Sequence, residues 1–191
     1  MKMKDFVLLA LLTALYMITY LISMMVISLM GPFGHAISPG ICGLLSGAII
    51  FFITRKIGKM WQFTILELIE MGVFALMGAG YLPWLISSMV GAVLADILVS
   101  RSSKPSVWKV AVASGLIHVG NALGGIIPAT FFAKQYMEEW IARGQTAEQM
   151  AEMVKYTQGI MGLFAVVITF VLSLLGVYIG YTILKGHLKE D

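Results

Sequence analysis

The chain has 191 residues, of which 59% are hydrophobic and only 12% are charged, and its formal net charge is +3. A soluble domain carries roughly 25% charged residues, so about half of the charge that a water-facing surface needs is missing. This excludes a soluble domain or a disordered chain, the single Cys42 excludes an internal disulfide, and the small net charge does not indicate a nucleic-acid partner. We predict one all-α integral membrane domain over residues 1–191.

Six apolar runs predict the membrane-spanning helices. A hydrocarbon core of about 30 Å requires about 20 helical residues, and each run is of that order. The first run continues far beyond the roughly 7–15 apolar residues of a signal peptide, so we interpret it as a retained helix. The predicted spans are approximately 6–30, 37–54, 61–80, 82–100, 107–133 and 159–184.

The distribution of basic residues predicts the orientation, because Lys and Arg near a span resist translocation. Ten of the 13 basic residues, Lys189 among them, fall on one side of a six-span chain and three on the other. The basic side is the cytoplasmic one, so we expect both termini in the cytoplasm. The segments 31–36, 78–83 and 134–158 then lie outside.

The outer segment before the sixth span has its own helical pattern. Apolar side chains recur at helical spacing on both sides of Gly144, which interrupts the run. They are Tyr136, Met137 and Trp140, followed by Met150, Met153 and Val154. We predict two short amphipathic helices, which either cover the outer mouth of the bundle or lie at the lipid interface.

Small residues recur four positions apart in most spans. Such pairs flatten a helix face, so that a second helix can approach closely where lipid provides no hydrophobic drive for association. We therefore expect packing contacts at these positions. The pairs include Gly43/Gly47, Gly91/Ala95, Gly120/Gly124 and Gly176/Gly180.

Three carboxylates fall inside predicted spans, where each costs a few kcal/mol unless it is paired or solvated. Glu67 and Glu70 are three residues apart and share one face of the third span. We interpret them as groups for helix contacts or subunit docking. Asp96 lies near the cytoplasmic end of the fourth span, and we expect it to pair with a nearby base such as Arg101.

Two polar residues lie in the middle of the fifth span. His118 and Asn121 are three apart, and Gly124, Gly125 and Pro128 follow them and loosen the helix. Together they could present a polar edge to a cavity. The alternative is a core histidine bonded to a neighbouring helix, and the sequence leaves both open.

A second group of candidate residues lies at the predicted outer level. His35 belongs to the turn-rich string GPFGHAISPG, in which Phe33 and Ser38 could also reach a ligand. Tyr81, Trp84 and Trp140 lie at the same level. Aromatic side chains at that depth also form the interfacial belt of ordinary membrane proteins, which is the alternative.

Enzyme motifs are missing: HExxH, GxSxG, a P-loop and clustered Cys and His do not occur. The string EEWIAR at 138–143 matches one motif of intramembrane CAAX-type proteases, but the further His motifs of that family are absent downstream, so we treat the match as coincidence. We predict no enzyme, no metal site and no cofactor. A proton-coupled secondary carrier that uses Glu67, Glu70 and His118 is an alternative function.

The aromatic and histidine residues at the outer level, without an excess of basic residues there, favour a neutral, planar or weakly charged organic ligand over a phosphate ester. A tetrapyrrole such as haem, with His35 as an axial ligand, is one option.

The chain resembles a known family over essentially its whole length. The strings MKMKDFVLLALLTALY, GPFGHAISPGICGLLSGAIIFFITRKIGK and GAVLADILVSR look like the Trep_Strep group of membrane proteins. Six spans with both ends inside, a basic start and the AxxxA of Ala10 and Ala14 also resemble the S components of energy-coupling factor (ECF) transporters. This resemblance implies a multi-pass protein of the bacterial plasma membrane that captures a micronutrient, either a vitamin-like compound or another small organic molecule.

The same resemblance implies where substrate and partners bind. Ala10 and Ala14 would dock on the transmembrane T subunit, which joins two cytoplasmic ATPases. The long polar segment before the last span departs from compact S components and indicates a lid or a larger ligand. The start MKMK lacks the Met-His metal site of the nickel and cobalt branch. The substrate would lie near Phe33, Gly34, His35, Tyr81, Trp84, Asn121 and Trp140, and the polar edge of the fifth span adds His118.

Overall fold

The computed structural model describes residues 1–78, 80–102 and 104–186. Within these ranges the chain is helical and forms no strand, which confirms the all-α prediction. Lys189, which contributed to the orientation argument, lies outside them. Nine helices follow one another along the described chain: α1 (Met3–Ser28), α2 (Gly31–Ala36), α3 (Ser38–Lys56), α4 (Gln62–Leu76), α5 (Leu82–Ser100), α6 (Val107–Phe131), α7 (Ala133–Ala142), α8 (Ala147–Thr157) and α9 (Gly159–Leu184).

Five helices are long and apolar enough to cross a membrane, namely α1, α3, α5, α6 and α9, with mean hydropathy between 1.4 and 2.7. The protein is therefore polytopic. The predicted span 61–80 corresponds to α4, which has only 15 residues. It ends at Leu76 because Gly78 takes a positive φ of 87°, a backbone conformation that terminates helices.

α4 nevertheless runs antiparallel to α5 along most of its length. At its first turn, the backbone N–H groups of Phe63 and Thr64 donate to the carboxylate of Asp96, in the second half of α5. Near its last turn, Phe74 packs on Trp84 at the start of α5, with ring centroids 5.9 Å apart. Asp96 is thus the anchor of α4, and among the residues that the structure describes it does not form the expected ion pair with a nearby base.

The interior of the bundle depends on glycine at the helix crossings. A Cβ atom added at Gly47 of α3 would lie 2.0 Å from the carbonyl carbon of Gly176 in α9. A Cβ at Gly120 of α6 would lie 2.7 Å from the backbone oxygen of Ser87 in α5. These approaches confirm the packing prediction for the small-residue pairs. α3 and α6 are the most buried spans, and α1 is among the least buried.

One end of the bundle is covered by α2, α7 and α8, and we call it the capped end. The string predicted as a turn at 31–36 is the short helix α2, which Gly31 separates from α1 by its positive φ of 66° and Pro32 initiates. α7 and α8 confirm the two predicted short helices. Their buried side chains, among them Tyr136 and Met150, pack against Tyr81 and the end of α6, so these helices cover the bundle.

Candidate ligand cavity at the capped end

A cavity of about 320 Å³ lies under α7 and α8, among the ends of α1, α3, α4, α5 and α6. Its volume is at the lower end of the roughly 300–1,000 Å³ that ligand pockets occupy, and its walls are largely apolar with a few polar groups, as such pockets usually are. A second cavity of about 300 Å³ adjoins it and shares five lining residues with it, namely Met24, His35, Ser38, Gln145 and Met153. The capped end therefore contains the space that a small organic ligand requires.

Six aromatic side chains line the main cavity in two groups. The bundle aromatic group consists of Tyr20, Phe74 and Trp84, in which Phe74 lies 5.1 Å from Tyr20 and 5.9 Å from Trp84 between ring centroids. The cap aromatic group consists of Tyr81, Tyr136 and Trp140, with centroid separations from 5.7 to 6.4 Å. The indole N–H of Trp140 is buried and has no acceptor in the described chain, so it is free to donate to a ligand.

Asn121 forms the polar floor between these groups. Its side-chain oxygen accepts hydrogen bonds from Trp84 Nε1 at 3.1 Å and from Ser88 Oγ at 2.7 Å. Its side-chain nitrogen donates to Glu67 Oε1 at 3.3 Å. The amide thus fixes the indole of the cavity wall and connects the cavity to a carboxyl group behind it.

Glu67 and Glu70 lie behind this floor, and both are 0% exposed. Glu67 makes the helix contact that was predicted for this pair, through Asn121. Its second oxygen and both oxygens of Glu70 have no hydrogen-bond partner among the residues that the structure describes. Since Phe74 follows Glu70 by one turn on the same face of α4, this row of side chains leads into the cavity wall. Complete burial keeps both groups away from a subunit-docking surface.

His118 does not line the cavity. It is 1% exposed, its Nδ1 lies 2.7 Å from the backbone oxygen of Ser114, and its Nε2 lies 3.1 Å from the hydroxyl of Tyr16 in α1. A neutral imidazole satisfies both contacts when Nδ1 donates and Nε2 accepts. Of the two interpretations left open by the sequence, this geometry is that of the bonded core histidine.

His35 lines both cavities. Burial lowers the pKa of its imidazole below the ordinary value, so the ring is neutral at pH 7. Phe33 instead packs against Tyr156 of α8, with centroids 6.4 Å apart. Gly34 lies against the last turn of α1, where an added Cβ would be 3.0 Å from the backbone oxygen of Ile27.

Five of the eight predicted site residues therefore meet at the cavity: His35, Tyr81, Trp84, Asn121 and Trp140. Phe33, Gly34 and His118 lie elsewhere. Whether the five bind a ligand stays a prediction.

Arg143 attaches the cap helices to the bundle. Its guanidinium donates to the backbone oxygen of Gly80 at 3.2 Å and pairs with Glu139 at 2.6 Å. It also lies over the rings of Tyr81 and Trp140, at 5.8 and 5.4 Å from their centroids. Burial raises the pKa of Tyr81 to about 12 and that of Tyr136 to about 12, so both hydroxyls remain protonated at neutral pH. The cap aromatic group is thus held as an uncharged wall.

Comparison with known protein families assigns the chain to one of them. A family model described as a hypothetical bacterial integral membrane protein (Trep_Strep) matches residues 3–190. The chain belongs to the Trep_Strep family. No curated protein and no solved structure matches it. The Trep_Strep part of the resemblance is thereby confirmed, as is the location in a bacterial membrane.

The cavity of this Trep_Strep protein is lined by groups of the kind that bind small organic ligands: aromatic rings, an amide, an indole N–H and a neutral imidazole. The described ranges 1–78, 80–102 and 104–186 bring no three His, Cys, Asp or Glu side chains together as a metal site. Sequence analysis missed Tyr20 and Phe74 in the cavity wall. Phe74 lies four residues after Glu70, a helical spacing that could have placed it on the same face.

Proposed function

We propose that this Trep_Strep protein is the substrate-capture (S) subunit of an ECF-type transporter. The observation that carries the proposal is the aromatic cavity at the capped end, which the distribution of basic residues predicts to face outward. A subunit that collects a micronutrient from outside needs a ligand-sized space at that end of the bundle. A rigid bundle with a small cover provides one.

The proposed topology has six spans and both termini in the cytoplasm. α4 is the sixth span in addition to the five long apolar helices. Support comes from its antiparallel course beside α5, from the anchor at Asp96 to the contact of Phe74 with Trp84. A helix of 15 residues is about 22 Å long, so the bilayer beside it must thin locally or neighbouring helices must shield its ends.

The proposed docking surface is the exposed face of α1 that carries Ala10 and Ala14. Both alanines are exposed, and α1 lies at the periphery of the bundle. Small side chains let a partner helix approach closely, and they leave a smooth surface from which the T subunit can separate after each transport cycle. The T subunit would connect this chain to two ATPases, which supply the energy that the chain itself cannot.

The proposed substrate is a small organic molecule of vitamin-like size. A volume of about 320 Å³ is at the lower limit for ligand pockets, so a compact ring system fits it better than a tetrapyrrole such as haem. Stacking on the aromatic walls and hydrogen bonds to Trp140 and His35 would orient such a molecule.

The docking claim is tested by co-expressing the tagged chain with a T subunit and the two ATPases of the same bacterium and isolating the complex. Ala10→Trp with Ala14→Trp should abolish recovery of the T subunit. Val171→Trp, on an exposed face of α9, is the matched control and should leave the complex intact. A complex that survives the α1 substitutions, or that never forms with the wild-type chain, contradicts the proposal.

The second candidate is an autonomous proton-coupled carrier using Glu67, Glu70 and His118. The observation in its favour is the burial of two carboxyl groups that lack most of their hydrogen-bond partners in the described chain. Intramembrane carboxylates of this kind mark proton relays in other transporters. Vesicles that contain only this chain would then accumulate substrate when a proton gradient is imposed, and no uptake without the T subunit and ATPases eliminates this candidate.

A further inference from the structure

Aromatic side chains line the main cavity from several directions. The bundle and cap aromatic groups contribute three rings each, from α1, α4, α5, α7 and the residue before α5. The face of an aromatic ring carries partial negative charge and attracts cations, and protein sites that recognise ammonium groups are built as cages of such rings. Two groups of rings around one cavity therefore form a surface suited to positive charge.

The distribution of charged side chains around the cavity also favours a cationic ligand. Among the described residues, no Lys or Arg lines either cavity, and the one formal charge on their walls is the carboxylate of Glu152. His35 is neutral at pH 7, as shown above. The guanidinium of Arg143 lies over the rings of Tyr81 and Trp140 and is paired with Glu139, and Arg143 is not among the residues that line either cavity. A cationic ligand would meet no positive group on these walls.

The third observation is the carboxyl pair behind the floor. Glu67 reaches the cavity through the side-chain amide of Asn121, and Glu70 lies one turn from Phe74 in the wall. Three of their four oxygens lack a donor in the described chain, although both side chains are wholly buried. Burial favours the neutral form of a carboxyl group, and a positive charge nearby favours its ionised form, since in a medium of low dielectric constant the attraction acts across several ångströms.

We propose that the substrate of this cavity is a small organic cation, whose positively charged nitrogen lies among the aromatic groups with Glu67 and Glu70 as its counter-charge. This inference rests on the proposed function, since it names the substrate class of the same cavity. It narrows the neutral or weakly charged ligand predicted from sequence. The apolar part of the molecule stacks on the rings, and Asn121 separates the nitrogen from direct contact with Glu67.

The test compares two probes of equal shape and different charge. Choline has a quaternary nitrogen, and 3,3-dimethylbutan-1-ol is its neutral isostere with carbon in that position. Each is titrated into the purified, washed chain in mild detergent, and binding is followed by tryptophan fluorescence, since Trp84 and Trp140 line the cavity. We expect choline to bind at least ~10-fold more tightly, which corresponds to about 1.4 kcal/mol. Equal responses, including no response to either, overturn the inference, as does an equal response to sodium chloride.

Near-isosteric variants locate the source of the preference. Glu67→Gln and Glu70→Gln should each lower the affinity for choline several-fold and leave that for the alcohol unchanged. Glu148→Gln, at an exposed position of α8, removes the same charge away from the cavity and is the matched control. Phe74→Leu keeps an apolar side chain and removes a ring face, so it should weaken choline binding more than binding of the alcohol. Unchanged choline affinity in all three cavity variants refutes the inference.

The choline experiment and the docking experiment can fail independently of each other. A chain that assembles with the T subunit and ATPases but shows no preference for the cation keeps the proposed function and loses this inference. A chain that prefers the cation but never assembles keeps the cation site and loses the S-subunit assignment.

Discussion

At the crossing of α3 and α9, the effect of adding one methyl group on the stability of the chain can be predicted quantitatively. A Cβ at Gly47 would lie 2.0 Å from the carbonyl carbon of Gly176, 2.3 Å from its oxygen and 2.4 Å from the nitrogen of Val177. All three atoms belong to the backbone, so none can move away by a rotamer change. Ordinary contacts of Cβ atoms begin near 3.4 Å. The helices must therefore separate by about 1 Å or more, and their facing atoms lose much of their dispersion attraction.

Gly47→Ala should consequently destabilise the chain by about 3 kcal/mol, the upper part of the usual range for overpacking. The matched control is Gly72→Ala in α4, where an added Cβ meets nothing within 4 Å. Alanine is favoured over glycine inside a helix, so this variant should be neutral or more stable by about 0.5–1 kcal/mol.

The assay is thermal unfolding of both variants in the same mild detergent, followed by the loss of helical circular dichroism. At roughly 2–4 °C per kcal/mol for a chain of this size, Gly47→Ala should lower Tm by about 6–12 °C, while Gly72→Ala leaves it unchanged or raises it. Equal Tm values for the two variants would refute the argument, because the two substitutions differ only in what the new methyl group meets.

Three further predictions concern the elements that hold the cavity. Asp96→Ala removes the acceptor of three hydrogen bonds at the start of α4 and should cost about 3 kcal/mol in thermal unfolding, whereas an unchanged Tm would mean that α4 is held otherwise. Arg143→Ala should change global stability by less than about 1 kcal/mol but speed amide hydrogen exchange in α7, and unchanged exchange there would exclude Arg143 as the attachment of the cap helices. The pKa of His35 is lowered in the folded chain, so the unfolded chain binds more protons below about pH 6.5 and the free energy of unfolding falls as the pH drops through that range. His35→Gln should therefore lose less stability than the wild type between pH 7 and pH 5. Parallel curves of stability against pH for the two proteins would contradict this.

Sequence analysis located the helices well, because a continuous apolar run long enough to cross a membrane must satisfy its backbone hydrogen bonds internally, as a helix does. It extended the third span beyond Leu76, the last residue of α4, which the positive φ of Gly78 terminates. It also interpreted 31–36 as a turn, although Pro32 can start a helix as readily as it forms a turn. The glycine pairs were predicted correctly because close crossings of helices in lipid depend on small residues.

The cavity was predictable at its loops and caps but less so within the spans. Polar and aromatic residues at the outer level identified four lining residues, as they lie where an apolar helix gives way to a turn, and the polar pair within the fifth span supplied Asn121. Tyr20 and Phe74 were missed because lipid and protein interior are both apolar, so the sequence does not say which side of a membrane helix faces inward. Asp96 was wrongly assigned to an ion pair. Its contact with the start of α4 arises only from the antiparallel packing of α4 and α5, which the sequence does not show.

The central claim is that the cavity at the capped end captures a small organic molecule. The most direct measurement is native mass spectrometry of the wild-type chain beside Gly125→Leu. Gly125 lines the cavity, and a Cβ added there meets only the hydroxyl of Tyr136, at 3.5 Å, so leucine should fill the space without disturbing the helices. We predict one small organic molecule per wild-type chain and none in the variant. Finding only lipid on the wild type, or the same small molecule on both, would contradict the account.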